Sequence, residues 1–133
     1  MPALADISTL KYDGVTAVVY NGVIAASGDK TPAIWRVNAQ GTAINFRPEL
    51  RVMSRANANN SARIVDYMYT YPEVFTNSTT GIASVNTRLN AKGTLVLPLE
   101  MADTASREGA YQFGNLMATA LLKSIFASGY SAT

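Results

Sequence analysis

A chain of 133 residues with no cysteine and no histidine has no thiol nucleophile, disulfide, Cys/His zinc site or histidine acid–base pair to work with. Charged residues are only 15% of it, against about 25% in ordinary soluble domains, while hydrophobic ones reach 48%; self-association would account for so thinly charged a surface. The net charge is +2, but seven basic residues from Arg36 to Lys92 stand against Glu49, Asp66 and Glu73, so that segment carries +4 and the remainder −2. A surface for a polyanion and a merely solvated sheet face both fit that distribution.

The length suits one domain with a single core. The start, MPALADISTL, has neither a basic nor an apolar leader region, and no later run approaches the roughly 18 apolar residues of a membrane span. A cytoplasmic product is expected where the chain is made. The triplets at Asn59 and Asn77 match glycosylation acceptors but read as turn chemistry without a secretory signal.

In chain order, residues 7–12 and 15–26 are β-rich runs separated by Asp13-Gly14, a strong hairpin signal. Residues 27–32 (SGDKTP) read as a loop, and AIWRVNA as a strand in which Trp35 is a packing residue rather than a ligand platform. Alternating apolar positions over 42–55 are broken by Pro48, which belongs at an edge, a bulge or a strand start. The stretch 49–72 reads as two long strands around the turn RANANNSA, bracketed by Arg51, Arg55 and Arg63. Alternation puts Arg51, Met53 and Arg55 on one face and Leu50, Val52 and Ser54 on the other. The turn's asparagines tolerate left-handed backbone.

In ARIVDYMYTY, Val65, Tyr67, Tyr69 and Tyr71 alternate with Ile64, Asp66, Met68 and Thr70. Burying Asp66 unpaired would cost several kcal/mol, which turns the tyrosines toward the core and Asp66 outward; the opposite phase would offer the tyrosines as base-stacking platforms. Pro72 is expected to stop this strand, and the Ser/Thr/Asn-rich residues 73–88 to form a long exposed loop. A last strand, KGTLVLPLEM, sets Lys92, Thr94 and Val96 on one side and Gly93, Leu95 and Leu97 on the other.

From Asp103 the period becomes helical, with Asp103 or Thr104 as the cap and Ala110, Phe113, Met117 and Ile125 along one stripe. Gly109 and Gly114 point to close packing or a break, and a second helix is expected from about Thr119 to Gly129. The run MADTAS resembles the Asp-Thr-Gly/Ala loop of retroviral-type aspartic proteases. The residues after Ser106 read as helix, not as the strands such a site needs, so the run is taken as a helix cap. No phosphate loop, carboxylate pair or metal cluster is found; no enzyme activity, cofactor or metal is expected.

Strands followed by helices make an α+β pattern: an N-terminal β-hairpin plus an antiparallel sheet of about five strands, with two C-terminal helices covering one sheet face. The open face would meet the phosphates of single-stranded or looped RNA with Arg51, Arg55, Arg63 and Lys92, while Asn90 and Thr94 supply neutral hydrogen bonds.

The order of these pieces resembles the coat proteins of the single-stranded RNA bacteriophages, the levivirus-like group, over nearly the whole chain. The Trp-containing strand AIWRV, the strand pair VMSRANANNSAR, a strand ending at Pro72, the Ser/Thr-rich loop, TLVLPLEM and the two helices carry the likeness. The resemblance implies a single coat-protein domain over 1–133 and an obligate homodimer, interlocked through its helices, with a continuous sheet. It further implies an icosahedral virion shell around genomic single-stranded RNA, assembled in the bacterial host cytoplasm, and an inner face able to bind an RNA hairpin as translational repressor. The 73–88 loop, with Asn77, Thr79 and Gly81, would join dimers at the symmetry axes in more than one conformation. Arg55 matches the family's arginine before the turn, and Lys92 and Thr94 fall on inner-face positions. Asn90 stands where relatives stack a tyrosine on a base, and Arg51 and Met53 where they carry small hydroxyl residues. A non-assembling dimeric RNA-binding repressor is the alternative.

Overall fold

The computed structural model describes residues 2–133. The chain forms two compact units, residues 1–96 and 97–133. The first is built from six strands: β1 (Ile7–Leu10), β2 (Ala17–Ile24), β3 (Pro32–Arg36), β4 (Glu49–Ala56), β5 (Ala62–Thr76) and β6 (Ala83–Pro98), whose end passes into the second unit. They form one sheet in chain order. The second unit holds α1 (Asp103–Met117) and α2 (Ala120–Ser128), completing an α+β fold with the N-terminal hairpin and the two helices expected from the sequence.

The turns follow from short polar side chains that replace missing backbone partners. Asp13 accepts bonds from the Val15 and Thr16 amides and from the Thr16 hydroxyl, closing the β1–β2 hairpin. The Thr16 hydroxyl and then the two amides hold the Asp13 carboxyl at about 2. Its folded value therefore lies below the unfolded value near ~3.9, so its contribution is complete above that pH and is lost as pH falls toward the folded value. NMR titration is expected to show Asp13 protonating well below an ordinary aspartate, while the hairpin amides of Val15 and Thr16 shift with it.

At the β4–β5 turn the Asn57 side-chain oxygen accepts from the amides of Ser61 (2.8 Å) and Ala62 (3.1 Å). Asn60 takes the left-handed backbone expected of this asparagine-rich turn, at φ 56°. Pro48, fully buried, lies just before β4, where its missing N–H costs no ladder bond.

Two expectations fail between residues 72 and 91. Pro72 does not end its strand, and residues 73–88 are not a long loop: β5 continues to Thr76 and β6 begins at Ala83, leaving a turn at 77–82. The Asn77 side-chain oxygen accepts from the Thr79 and Thr80 amides, and the Gly81 amide returns to the Asn77 backbone oxygen at 2.8 Å. The Ser/Thr/Asn content that reads as loop is instead the dress of a ribbon exposed on both faces.

Pro72 is tolerated because the ladder shifts around it. The side-chain bonds Thr94–Asp66 and Thr70–Asn90 set one register between β5 and β6, whereas the turn is closed by the Asn77 amide on the Ile82 oxygen. Between these fixed points β6 carries one residue more than β5, the count of a β-bulge, in the stretch where proline has no N–H to donate.

Strand pairing decides the phase of the tyrosines. Leu50 opposes Tyr69 and Val52 opposes Tyr67, while Arg51 opposes Met68 and Met53 opposes Asp66. Opposed residues share a face, so the tyrosines lie with the apolar residues and Asp66 with the arginines. The phase that would have made the tyrosines base-stacking platforms beside the arginines is excluded. On the tyrosine face, the Tyr20 and Tyr69 hydroxyls bond at 2.8 Å. Burial, followed by the bond to Tyr20, raises the Tyr69 phenol well above its usual range. A Cβ placed on Gly93 would fall inside the Tyr67 phenol, so a glycine is required there. G93A is expected to lower stability by about 1–3 kcal/mol, read from the denaturation midpoint, because the ring must leave its seat.

The half-buried Trp35 donates its indole N–H to the Ala5 oxygen at 2.8 Å and ties the N-terminal segment to β3. The helices also differ in detail from expectation. Neither Asp103 nor Thr104 caps α1; Ala102 occupies the cap position, with no side-chain bond, and Asp103 sits in the first turn, where its charge suits the helix dipole. α1 runs unbroken through Gly109 and Gly114, and nothing lies within 4 Å of a Cβ at either. α2 ends as expected at Gly129, left-handed at φ 76°. Neither helix buries a residue.

Candidate nucleic-acid interface

The face opposite the tyrosines collects most of the candidate residues. On β4, Glu49, Arg51, Met53 and Arg55 alternate onto it, opposed by Thr70, Met68, Asp66 and Ile64 of β5. β3 adds Arg36, opposed to Glu49, and Ile34, opposed to Arg51. β6 adds Asn90 and Thr94, fixed by their bonds to Thr70 (3.3 Å) and Asp66 (2.8 Å), with Lys92 between them in the alternation. Arg51, Met53, Arg55, Asn90, Lys92 and Thr94 are thus brought together. A depression of about 620 Å³ lies among them, lined by Arg51, Met53, Asp66, Met68, Lys92 and Thr94.

Arg63 is elsewhere. It opposes Ala56, on the tyrosine face, and its guanidinium makes a fork with Asp29 at 2.6 and 2.8 Å. That bond raises the Arg63 pKa and lowers that of Asp29, and it ties the loop before β3 to β5. The single-residue offset of the asparagine turn is what separates Arg63 from Arg55 although both flank it. Asn77, Thr79 and Gly81 lie together in the β5–β6 turn.

Two features of the face escaped the sequence. Arg36 joins it through the β3–β4 register, which no spacing across the intervening segment reveals. The cations are also not free. Glu49 accepts from Arg36 Nε at 2.5 Å and from Arg51 Nε, and Asp66 accepts from Arg55 Nε at 3.0 Å. Burial pushes the Glu49 carboxyl up, but the bonds from Arg51 and Arg36 outweigh it and hold the group below its usual value. The Thr94 hydroxyl, then Arg55, lowers Asp66. Arg36 and Glu49 keep only 16% and 17% of their side-chain surface exposed while Arg51 keeps 44%, so Arg51 is the member of that trio able to reach a ligand. Among the described residues, Lys92 alone of the four cations on this face forms no ion pair, and no group of metal-ligating side chains occurs.

The six-stranded antiparallel meander followed by two helices is a fold this chain shares with solved phage coat proteins. The chain matches the subunit of the virus-like particle of Beihai levi-like virus 21 with a TM-score of 0.80, over 99% of each chain at 16% identity. It matches the bacteriophage EMS014 coat protein at 0.76, over 99% of this chain and 100% of that one at 15% identity. The bacteriophage GA capsid protein aligns at 0.74, over 96% of each chain at 16% identity. No protein-family model and no curated protein matches the sequence. The likeness to RNA phage coat proteins drawn from the order of elements holds at the level of the fold.

Proposed function

We infer that the chain is a capsid subunit that assembles as homodimers into a closed icosahedral shell and packages single-stranded RNA against the face carrying Arg51, Arg55 and Lys92. The observation that carries this reading is the open cationic face on one side of a sheet with the coat-protein fold. The free edge supports the dimer. β6 is the last strand of the sheet and spans 16 residues, so its outer edge offers a row of unpaired N–H and C=O groups that a second copy of β6 would satisfy. Helices without a fully buried residue, with Leu121 62% and Phe126 58% exposed, suit interlocking over a partner's sheet.

Expression of the chain alone is expected to yield RNA-containing particles in the electron microscope, formed in the cytoplasm of a bacterial host. A stable monomer across ordinary buffers would sink the reading. Stable RNA-binding dimers without particles would turn it to the translational repressor.

Within this function Arg63 has a structural part only. R63A is expected to leave the salt dependence of RNA binding unchanged, measured by filter binding, while lowering the unfolding midpoint only slightly, because the ion pair it removes is exposed. A weakened, salt-flattened RNA affinity in R63A would place RNA on both faces.

A further inference from the structure

We propose that Glu49 and Asp66 are built-in competitors of the RNA phosphate, holding the arginines of the sheet face partly neutralised in the subunit without RNA. This rests on RNA contacting that face and adds what sets the strength of the contact. Each carboxylate takes the Nε edge of its arginines: Glu49 those of Arg36 and Arg51, Asp66 that of Arg55. The Nη groups of Arg51 and Arg55 are left over, without a carboxylate bond among the described residues. A phosphate approaching those Nη groups meets a guanidinium whose charge is already answered in part, at Arg51, or by a whole carboxylate, at Arg55, and it is repelled by that anion. Glu49 is held on both of its oxygens by two arginines, and Asp66 on both of its oxygens by Arg55 and Thr94. Both carboxylates stay ionised and in place, since their pKa values are lowered in the fold. Four cations against two carboxylates leave the face at +2, one charge on Lys92 and the other left over where Arg36 and Arg51 share Glu49.

Such a face grips RNA less tightly, and with a shallower salt dependence, than its arginine count suggests. That suits a subunit which must hold many different stretches of one long RNA while the shell is still forming. A neutral amide keeps part of this arrangement: D66N retains an oxygen for Arg55 Nε and gains an N–H that can donate to the Thr94 hydroxyl, whereas E49Q retains an oxygen for only one of the two arginine Nε groups. D66N therefore removes the charge and retains the arrangement, and E49Q removes the charge and releases one of the two arginines.

The test is filter binding of poly(U) to purified protein freed of nucleic acid, across a range of salt, for the unaltered chain, E49Q, D66N, the double variant and K92A. E49Q and D66N are each expected to steepen the log–log salt slope by about 0.7, which over one decade of salt is about a fivefold gain in affinity at the low-salt end. E49Q and the unaltered chain suffice if D66N fails to fold, since Glu49 makes no bond to β6. Unchanged or weaker binding in E49Q, with K92A still weakening it, overturns the competitor role and leaves RNA on the face. No binding by the unaltered chain, and none altered by K92A, overturns the placement of RNA as well.

Discussion

Replacing residues 73–88 by a short turn is expected to leave folded dimers and no particles, as read by size-exclusion chromatography and electron microscopy. Pairing with β4 ends at Thr70, so the far parts of β5 and β6 project as a two-stranded ribbon. Every residue from Glu73 to Ile82 is exposed, including Val74, Phe75 and Ile82. A two-stranded ribbon gains little stability by itself, and apolar side chains on both of its faces contribute nothing while solvated. Under the proposed function contacts between subunits would give it a purpose, and such contacts would distinguish a shell from a repressor dimer. The expected effect is all-or-none for assembly, with unfolding midpoints of the dimer moved little. Normal particles from the shortened chain would refute the role of the ribbon, and loss of the dimer would show that it belongs to the subunit's own fold.

The triple variant R51A/R55A/K92A is expected to lose most of the packaged RNA and to flatten the salt dependence of RNA binding. Three phosphate contacts to single-stranded RNA are worth a log–log slope of about 2, or roughly a hundredfold in affinity over a decade of salt. That figure is an upper limit here. Glu49 and Asp66 already answer part of the charge of Arg51 and Arg55, whereas Lys92 acts in full. The order of single effects is therefore expected to be K92A first, then R51A and R55A. RNA content is read from the absorbance ratio of purified particles and affinity from filter binding. Unchanged content in the triple variant would move RNA off this face altogether.

Much of the sheet was legible because strand signals are local. The β1–β2 hairpin, the β4 alternation of Arg51, Met53 and Arg55, and the Lys92/Thr94 side of β6 depend on period-2 patterning and on turn residues a few positions away. The outward phase of Asp66 was legible for a similar reason, since an unpaired carboxylate on the apolar side would be costly. The ribbon was misread because serine, threonine and asparagine signal solvent exposure. Exposure is shared by a loop and by a projecting β-ribbon, and the cross-strand bonds that distinguish them join residues far apart in sequence.

The chain's own order of residues determined the α+β architecture, the cationic side of β4 and β6, the left-handed asparagine turn and the glycine that ends α2. Each of these depends on backbone preference or side-chain alternation within a few residues. Only the tertiary structure decided three things: that Arg63 turns away to Asp29, that Arg36 joins the face, and that Glu49 and Asp66 engage its arginines. All three depend on register between strands. A shift of one residue turns every side chain of a strand to the other face, and register is set by pairing and bulges across the sheet rather than by local sequence.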